Sequence, residues 1–115
     1  MKPVIPVFFA ADDNYLPFLA VSLGSVKANA SKNYDYDIHI LHSGLDSDNM
    51  RRTAMLDEDG FTVRFDDVTD KLSAISKSLQ LRDYYTGTTY YRIFIAEMFP
   101  EYEKALYLDS DTVVL

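Results

Sequence analysis

With 115 residues, 48% hydrophobic and 25% charged, the chain has the length and composition of one folded domain with one core, short for an enzyme that must hold two substrates. A net charge of -7 excludes nonspecific attraction to nucleic acid or anionic lipid, so any bound anion must be held locally. Having no cysteine, it can form neither disulfides nor thiolate metal sites, which leaves oxygen and histidine nitrogen as metal ligands.

The N-terminus, "MKPVIPVFFAADDNY", has a short apolar run followed by acids where a signal peptide would place small residues and a cleavage site, so it reads as a strand in a cytoplasmic protein. Val4 to Ala10 is nearly continuous in apolar residues, the pattern of a strand buried on both faces of a parallel sheet. The period then changes. Leu16, Leu19, Ala20, Leu23, Val26 and Ala30 recur at helical spacing, Asp13 or Asn14 is placed to cap the start, and Pro17 falls in the first turn, where a missing N–H costs nothing. "YDYDIHILHSG" reads as a second strand, and "LDSDNMRRTAMLDEDG" as a helix that Asp46 caps and Gly60 ends. "FTVRFDDV" alternates as a third strand does. Helices are predicted over Asp70–Gln80 and Thr88–Phe99, then "KALYLD" as a fourth strand. This order implies a doubly wound α/β sheet with parallel strand order 3-2-1-4, which binds ligands at the carboxyl ends of its strands where the order reverses. The acidic pairs Asp12–Asp13 and Asp109/Asp111 both fall there.

No G-x-G-x-x-G follows the first strand and no G-x-x-x-x-G-K-[ST] occurs, so neither of these glycine loops is available to cradle phosphate. Instead the first strand delivers "AADDNY". Carboxylates there suit a ligand that offers donors, such as a ribose hydroxyl or the N3–H of uracil, and Tyr15 suits stacking on a base; the plain alternative is that these residues only cap a helix. "LDSD" places Asp109 and Asp111 one residue apart, where like charges repel unless a cation lies between them. A hard divalent ion takes few protein oxygens and shares its remaining positions with water and substrate phosphates; the alternative is a polar turn. Arg92 lies in "TTYYRIFIAEMF", among aromatic and aliphatic residues, and needs a partner, either a phosphate or sugar or a carboxylate such as Asp66 or Asp67. His39 and His42 lie in the second strand without a nearby Ser or Cys nucleophile and read as structural or surface residues.

Taken together, "FFAADDNYLPFLAVSLGSV", "TGTTYYRIFIAEMF" and "EKALYLDSDTVVL" resemble the N-terminal half of glycosyltransferase family 8, retaining nucleotide-sugar transferases that include bacterial lipopolysaccharide galactosyltransferases and glycogenin. The resemblance spans nearly the whole chain. It implies a GT-A fold, a Rossmann-like and mostly parallel sheet with helices on both faces, in which residues 1–115 form the nucleotide-sugar-binding half. It also implies a UDP-sugar donor and hexosyl transfer to a glycan or lipid-linked acceptor. A manganese or magnesium ion would act as Lewis acid on the UDP leaving group. By the resemblance, Ala10, Asp12, Asn14 and Tyr15 contact the uridine, Arg92 contacts the donor, Asp109 and Asp111 hold the metal, and Ser110 lies near the ribose.

Family members continue past the D-x-D with acceptor-binding strands and an H-F-x-G-x-x-K-P-W-like segment, so the chain is expected to be truncated after that strand and inactive alone. The terminal strand "TVVL" would then lack its neighbours, so self-association or marginal stability is expected, and separately a cytoplasmic location, peripheral to a membrane in the full-length protein. Two rival readings stand beside this one. The chain could be a nucleotide-binding module without activity, or "DSDTV" could open a haloacid-dehalogenase-like phosphohydrolase with Asp109 as nucleophile, Asp111 as acid/base, and magnesium, although that motif normally follows the first strand.

Overall fold

The computed structural model describes residues 2–71, 73, 74 and 95–115. Its elements are β1 (Val4–Ala10), α1 (Leu16–Ala28), β2 (Asp35–His42), α2 (Ser47–Ala54), β3 (Phe61–Asp67), a short α3 (Ile95–Met98) and β4 (Leu106–Tyr107). The four strands form one sheet in the order β3-β2-β1-β4, and every pairing is parallel. Strand direction and order both match the expectation.

Alternation in β1 splits the core into two layers. Val7, Phe9 and Ala11 pack with Leu16, Leu19, Leu23 and Val26 of the α1 side and with Ile38, Ile40, Phe61 and Val63. Phe8 and Ala10 face the other way, onto Leu41, Val68, Met98 and Phe99. A strand covered on both faces can be apolar at every position, which is why β1 shows no polar alternation.

On that second face a polar network is embedded. His39, buried and stacked on Phe8 with centroids 4.8 Å apart, has Nδ1 2.7 Å from Asp66 Oδ2 and Nε2 2.8 Å from the Tyr102 hydroxyl. Tyr102 in turn donates to Asp37 Oδ2 at 2.9 Å, and Arg64 Nε donates to Asp37 Oδ1 at 2.7 Å. Burial pushes the Asp37 carboxyl up, but the bonds from Arg64 and Tyr102 and the His39 charge outweigh it and hold the group below the usual range. Burial, then the Asp37 bond, pushes the Tyr102 hydroxyl up to about 12. His39 is therefore structural, as expected, and is buried.

Several local expectations are corrected. Neither Asp13 nor Asn14 caps α1: Tyr15 is the N-cap, with helical backbone angles and no side-chain cap bond. The preceding turn is closed by Asp12, whose Oδ1 accepts from Tyr15 N–H at 3.0 Å and whose carbonyl accepts from Leu16 N–H, also at 3.0 Å. Asp46 does cap α2, accepting from Asn49 N–H at 3.3 Å. Gly60, however, does not end that helix, which stops at Ala54. It sits at φ 81°, in the left-handed region that favours glycine, in the turn joined by Glu58 N–H to Phe61 O at 2.9 Å and Phe61 N–H to Glu58 O at 2.8 Å. The helix predicted over 70–80 is described only at 69–71 and 73–74, and that over 88–99 only at α3; the rest of both lies outside the described residues. β4 is shorter than "KALYLD", because after Leu108 N–H donates to Phe8 O at 3.0 Å the chain turns. "TVVL" is accordingly not a strand.

Candidate functional site

The sheet reverses direction of winding at β1. β2 pairs on one side of β1 and β4 on the other, so the loops leaving β1 and β4 start from adjacent strand ends. Such a switch point opens a crevice at the carboxyl edge of a doubly wound sheet. Register sets what lines it: Val7 pairs with Leu106 and Phe8 with Tyr107, so the residues following Tyr107 run alongside the end of β1. Ser110 Oγ donates to Ala10 O at 3.3 Å and ties the D-x-D turn directly to the start of "AADDNY".

The turn itself is local. Asp109 O accepts from Thr112 N–H at 3.3 Å and from Thr112 Oγ1 at 2.8 Å, so Asp109, Ser110 and Asp111 lie on a bend and not on an extended strand, where alternate residues would face opposite ways. Both carboxylates are exposed. Among the described residues no three His, Cys, Asp or Glu side chains gather into a metal cage. Two oxygen donors on an open turn fit an ion that completes its shell with water and phosphate oxygens, and do not fit a closed structural site.

Across the crevice, Asp12, Asn14 and Tyr15 are all exposed at the mouth of the β1–α1 loop. Tyr15 is 51% exposed, with its ring 6.2 Å from that of Phe18, so it presents a face to solvent. Asp12 spends Oδ1 on Tyr15 N–H; its second oxygen is the one available to a ligand donor. Ala10 has a buried side chain, so its backbone is what it can offer. The structure thus brings Ala10, Asp12, Asn14, Tyr15, Asp109, Ser110 and Asp111 to one edge; Arg92 lies outside the described residues.

Sequence reasoning missed what Asp13 does. Its Oδ1 accepts from Asp46 N–H at 2.9 Å and from Asn49 Nδ2 at 3.1 Å, clamping the β1–α1 loop to the start of α2. These two bonds, the Asp46 N–H first, hold its carboxyl below the usual range. The signal was present in outline, since a second acid beside Asp12 needs some partner. Asp46 and Asn49 are more than thirty residues away, and only the parallel β1–β2 pairing brings them near.

Carboxylates and an exposed aromatic ring stand at the switch point of a doubly wound α/β sheet, where glycine loops would otherwise stand. The chain belongs to glycosyl transferase family 8, whose profile matches residues 6–115. The bifunctional glycosyltransferase WbbM superposes with a TM-score of 0.83 and 31% identity over 99% of this chain and 20% of its own. The galactosyltransferase LgtC, solved with donor and acceptor sugar analogues, gives a TM-score of 0.74 and 32% identity over 96% of this chain and 39% of its own. The yeast (S. cerevisiae) mannosyltransferase Ktr4p, at 10% identity and a TM-score of 0.63, shares the fold. No curated protein sequence matches. The chain thus spans 20% to 39% of the length of these structures. Its fold is the mostly parallel GT-A sheet with helices, as a partial domain. The phosphohydrolase alternative would place D-x-D-x-[TV] behind the first strand, whereas here the motif follows β4.

Proposed function

We propose that this chain is the donor-nucleotide half of a retaining hexosyltransferase, binding the UDP of a UDP-sugar with a manganese or magnesium ion at the β1/β4 switch point. One observation carries the reading: the register of β4 on β1 and the Ser110–Ala10 bond hold an acid pair and an acid–amide–tyrosine loop side by side. Asp12 would accept the uracil N3–H, Tyr15 would stack on the ring, and Asn14 and the Ala10 backbone would complete the nucleoside contacts. Asp109 and Asp111 would hold the ion, with Ser110 near the ribose. Bound there, the ion supplies Lewis-acid stabilisation of the diphosphate leaving group. The likeness to LgtC, a galactosyltransferase that takes donor and acceptor sugar analogues, supports a sugar donor and a glycan or lipid-linked acceptor in the longer protein, which we place in the cytoplasm, peripheral to a membrane. This chain by itself should bind UDP without transferring sugar.

Calorimetry with UDP, with and without manganese, tests this. The wild-type chain should bind at least about tenfold more tightly with manganese, ~1.4 kcal/mol. Asp109→Asn or Asp111→Asn should remove most of that gain. Asp12→Asn keeps an oxygen acceptor for Tyr15 N–H and should weaken UDP with or without metal. If Asp109→Asn kept the full manganese gain, the D-x-D would be only a polar turn. A binding-only module would behave alike here but differ in the longer protein, which would then take up UDP without sugar turnover.

A further inference from the structure

The face of α1 that looks toward the end of the chain carries Ser22 and Ser25 and continues into the C-cap Asn29, at spacings of three and four, which place the three on one stripe. Each bonds to the segment that follows Asp111. Val114 N–H donates to Ser25 Oγ at 2.9 Å, and Asn29 Nδ2 donates to Val114 O at 3.0 Å and to Ser25 O at 2.9 Å. Fully buried Ser22 lies with Oγ 3.3 Å from Thr112 Oγ1. Because Thr112 Oγ1 gives its proton to Asp109 O, that contact runs from Ser22 to Thr112, so a relay of two hydroxyls ends on the carbonyl of the first D-x-D aspartate.

We infer that α1 positions the metal-binding turn: Ser25 and Asn29, with Ser22, anchor residues 112–114 and thereby fix Asp109 and Asp111 relative to the uridine loop that opens the same helix. The inference rests on the metal reading of those two carboxylates. Both backbone groups of Val114 are taken by helix side chains, as two ladder bonds would take them in a sheet. Leu108 and Val114 pack against the α1-side core, but apolar contact tolerates sliding, whereas paired bonds to N–H and C=O specify one register. The N-terminal end of α1 bears Asp12 to Tyr15, so one rigid rod sets the spacing of base site and metal site. Ser22, Ser25 and Asn29 are positioning residues; none is placed to touch the ligand.

Two readouts separate positioning from bulk stability. Hydrogen exchange in the free chain should speed up over 109–114 in Asn29→Ala and Ser25→Ala by roughly two- to tenfold, the span of one net hydrogen bond, with β1 and β2 unchanged. Ser25→Thr, which keeps the hydroxyl, should restore slow exchange. In calorimetry both alanine variants should lose a similar factor from the manganese-dependent gain and keep the wild-type affinity for UDP without metal. Asn29 is exposed, so its variant folds even if Ser25→Ala does not. Unchanged exchange over 109–114 in Asn29→Ala would overturn the inference, as would an equal loss of metal-free UDP affinity. A wild-type chain without any manganese gain would instead refute the functional reading beneath it, and the exchange arm tells the two failures apart.

Discussion

Replacing His39 with leucine tests whether the histidine serves the fold and not the site. The substitution removes the bonds to Asp66 and Tyr102, at 2.7 and 2.8 Å, while leaving apolar volume against Phe8 and Phe99. The bond to the Asp66 carboxylate contributes about 1.5–3 kcal/mol and that to the neutral Tyr102 hydroxyl about 0.5–1.5 kcal/mol, and stranding a buried partner adds to the loss. Against this, Asp66 is 30% exposed and can rehydrate, and leucine recovers some burial. The net cost should be about 2–4 kcal/mol, a large share of the ~5–15 kcal/mol that holds a domain together. With a urea slope of about 1–2 kcal/mol/M, the unfolding midpoint should fall by roughly 2 M, followed by far-UV circular dichroism. The pH dependence follows from Asp37. Its folded-state value lies below the ordinary 3.8, so its contribution is complete above that value and is lost as pH falls through the folded-state one. Arg64 and Tyr102, which supply most of that shift, remain in the variant, so wild type and variant should both lose stability below about pH 4. Affinity for UDP should not move. A midpoint shift under about 0.5 M, or a drop in UDP affinity in chain that remains folded, would refute the assignment.

How much of this could be read in advance follows from the range of each signal. β1 was legible to the residue because a strand buried on both faces announces itself as an unbroken apolar run, and the 3-2-1-4 order follows once right-handed parallel crossovers are assumed. α2 was legible at its start, where Asp46 caps locally, and not at its end. Gly60 reads as the end of that helix because glycine ends helices often, but here it serves the next turn. Long-range partners stayed hidden. Nothing near His39 in sequence names Tyr102, and nothing near Ser25 names Val114, because both pairs exist only after β1, β2 and β4 are assembled. The site residues came from a different source: the D-x-D and "AADDNY" are short, and their meaning rested on resemblance. What the structure adds is adjacency, through a register that no local pattern encodes.

Two further outcomes are expected. Asp13→Ala cuts the bonds to Asp46 N–H and Asn49 and frees the β1–α1 loop, so metal-free UDP binding should weaken several-fold while the manganese-dependent gain persists; calorimetry showing unchanged metal-free affinity would mean the clamp is irrelevant to the site. The other concerns the sheet edge. β4 is two residues long, and among the described residues no strand pairs with its outer side. Leu106 is 50% exposed there, and Val113 and Leu115 are exposed beyond it. Open apolar edges recruit strands from other chains, and natural edges discourage this with charge, lysine above all. The wild-type chain should therefore gain apparent mass in light scattering as its concentration rises. Leu106→Lys should suppress that gain without lowering the unfolding midpoint, because the side chain it alters is already half in water. A wild-type chain that stays monomeric at high concentration would show that the edge is not an association site, and a Leu106→Lys variant that associates as strongly would shift the contact to Val113 and Leu115.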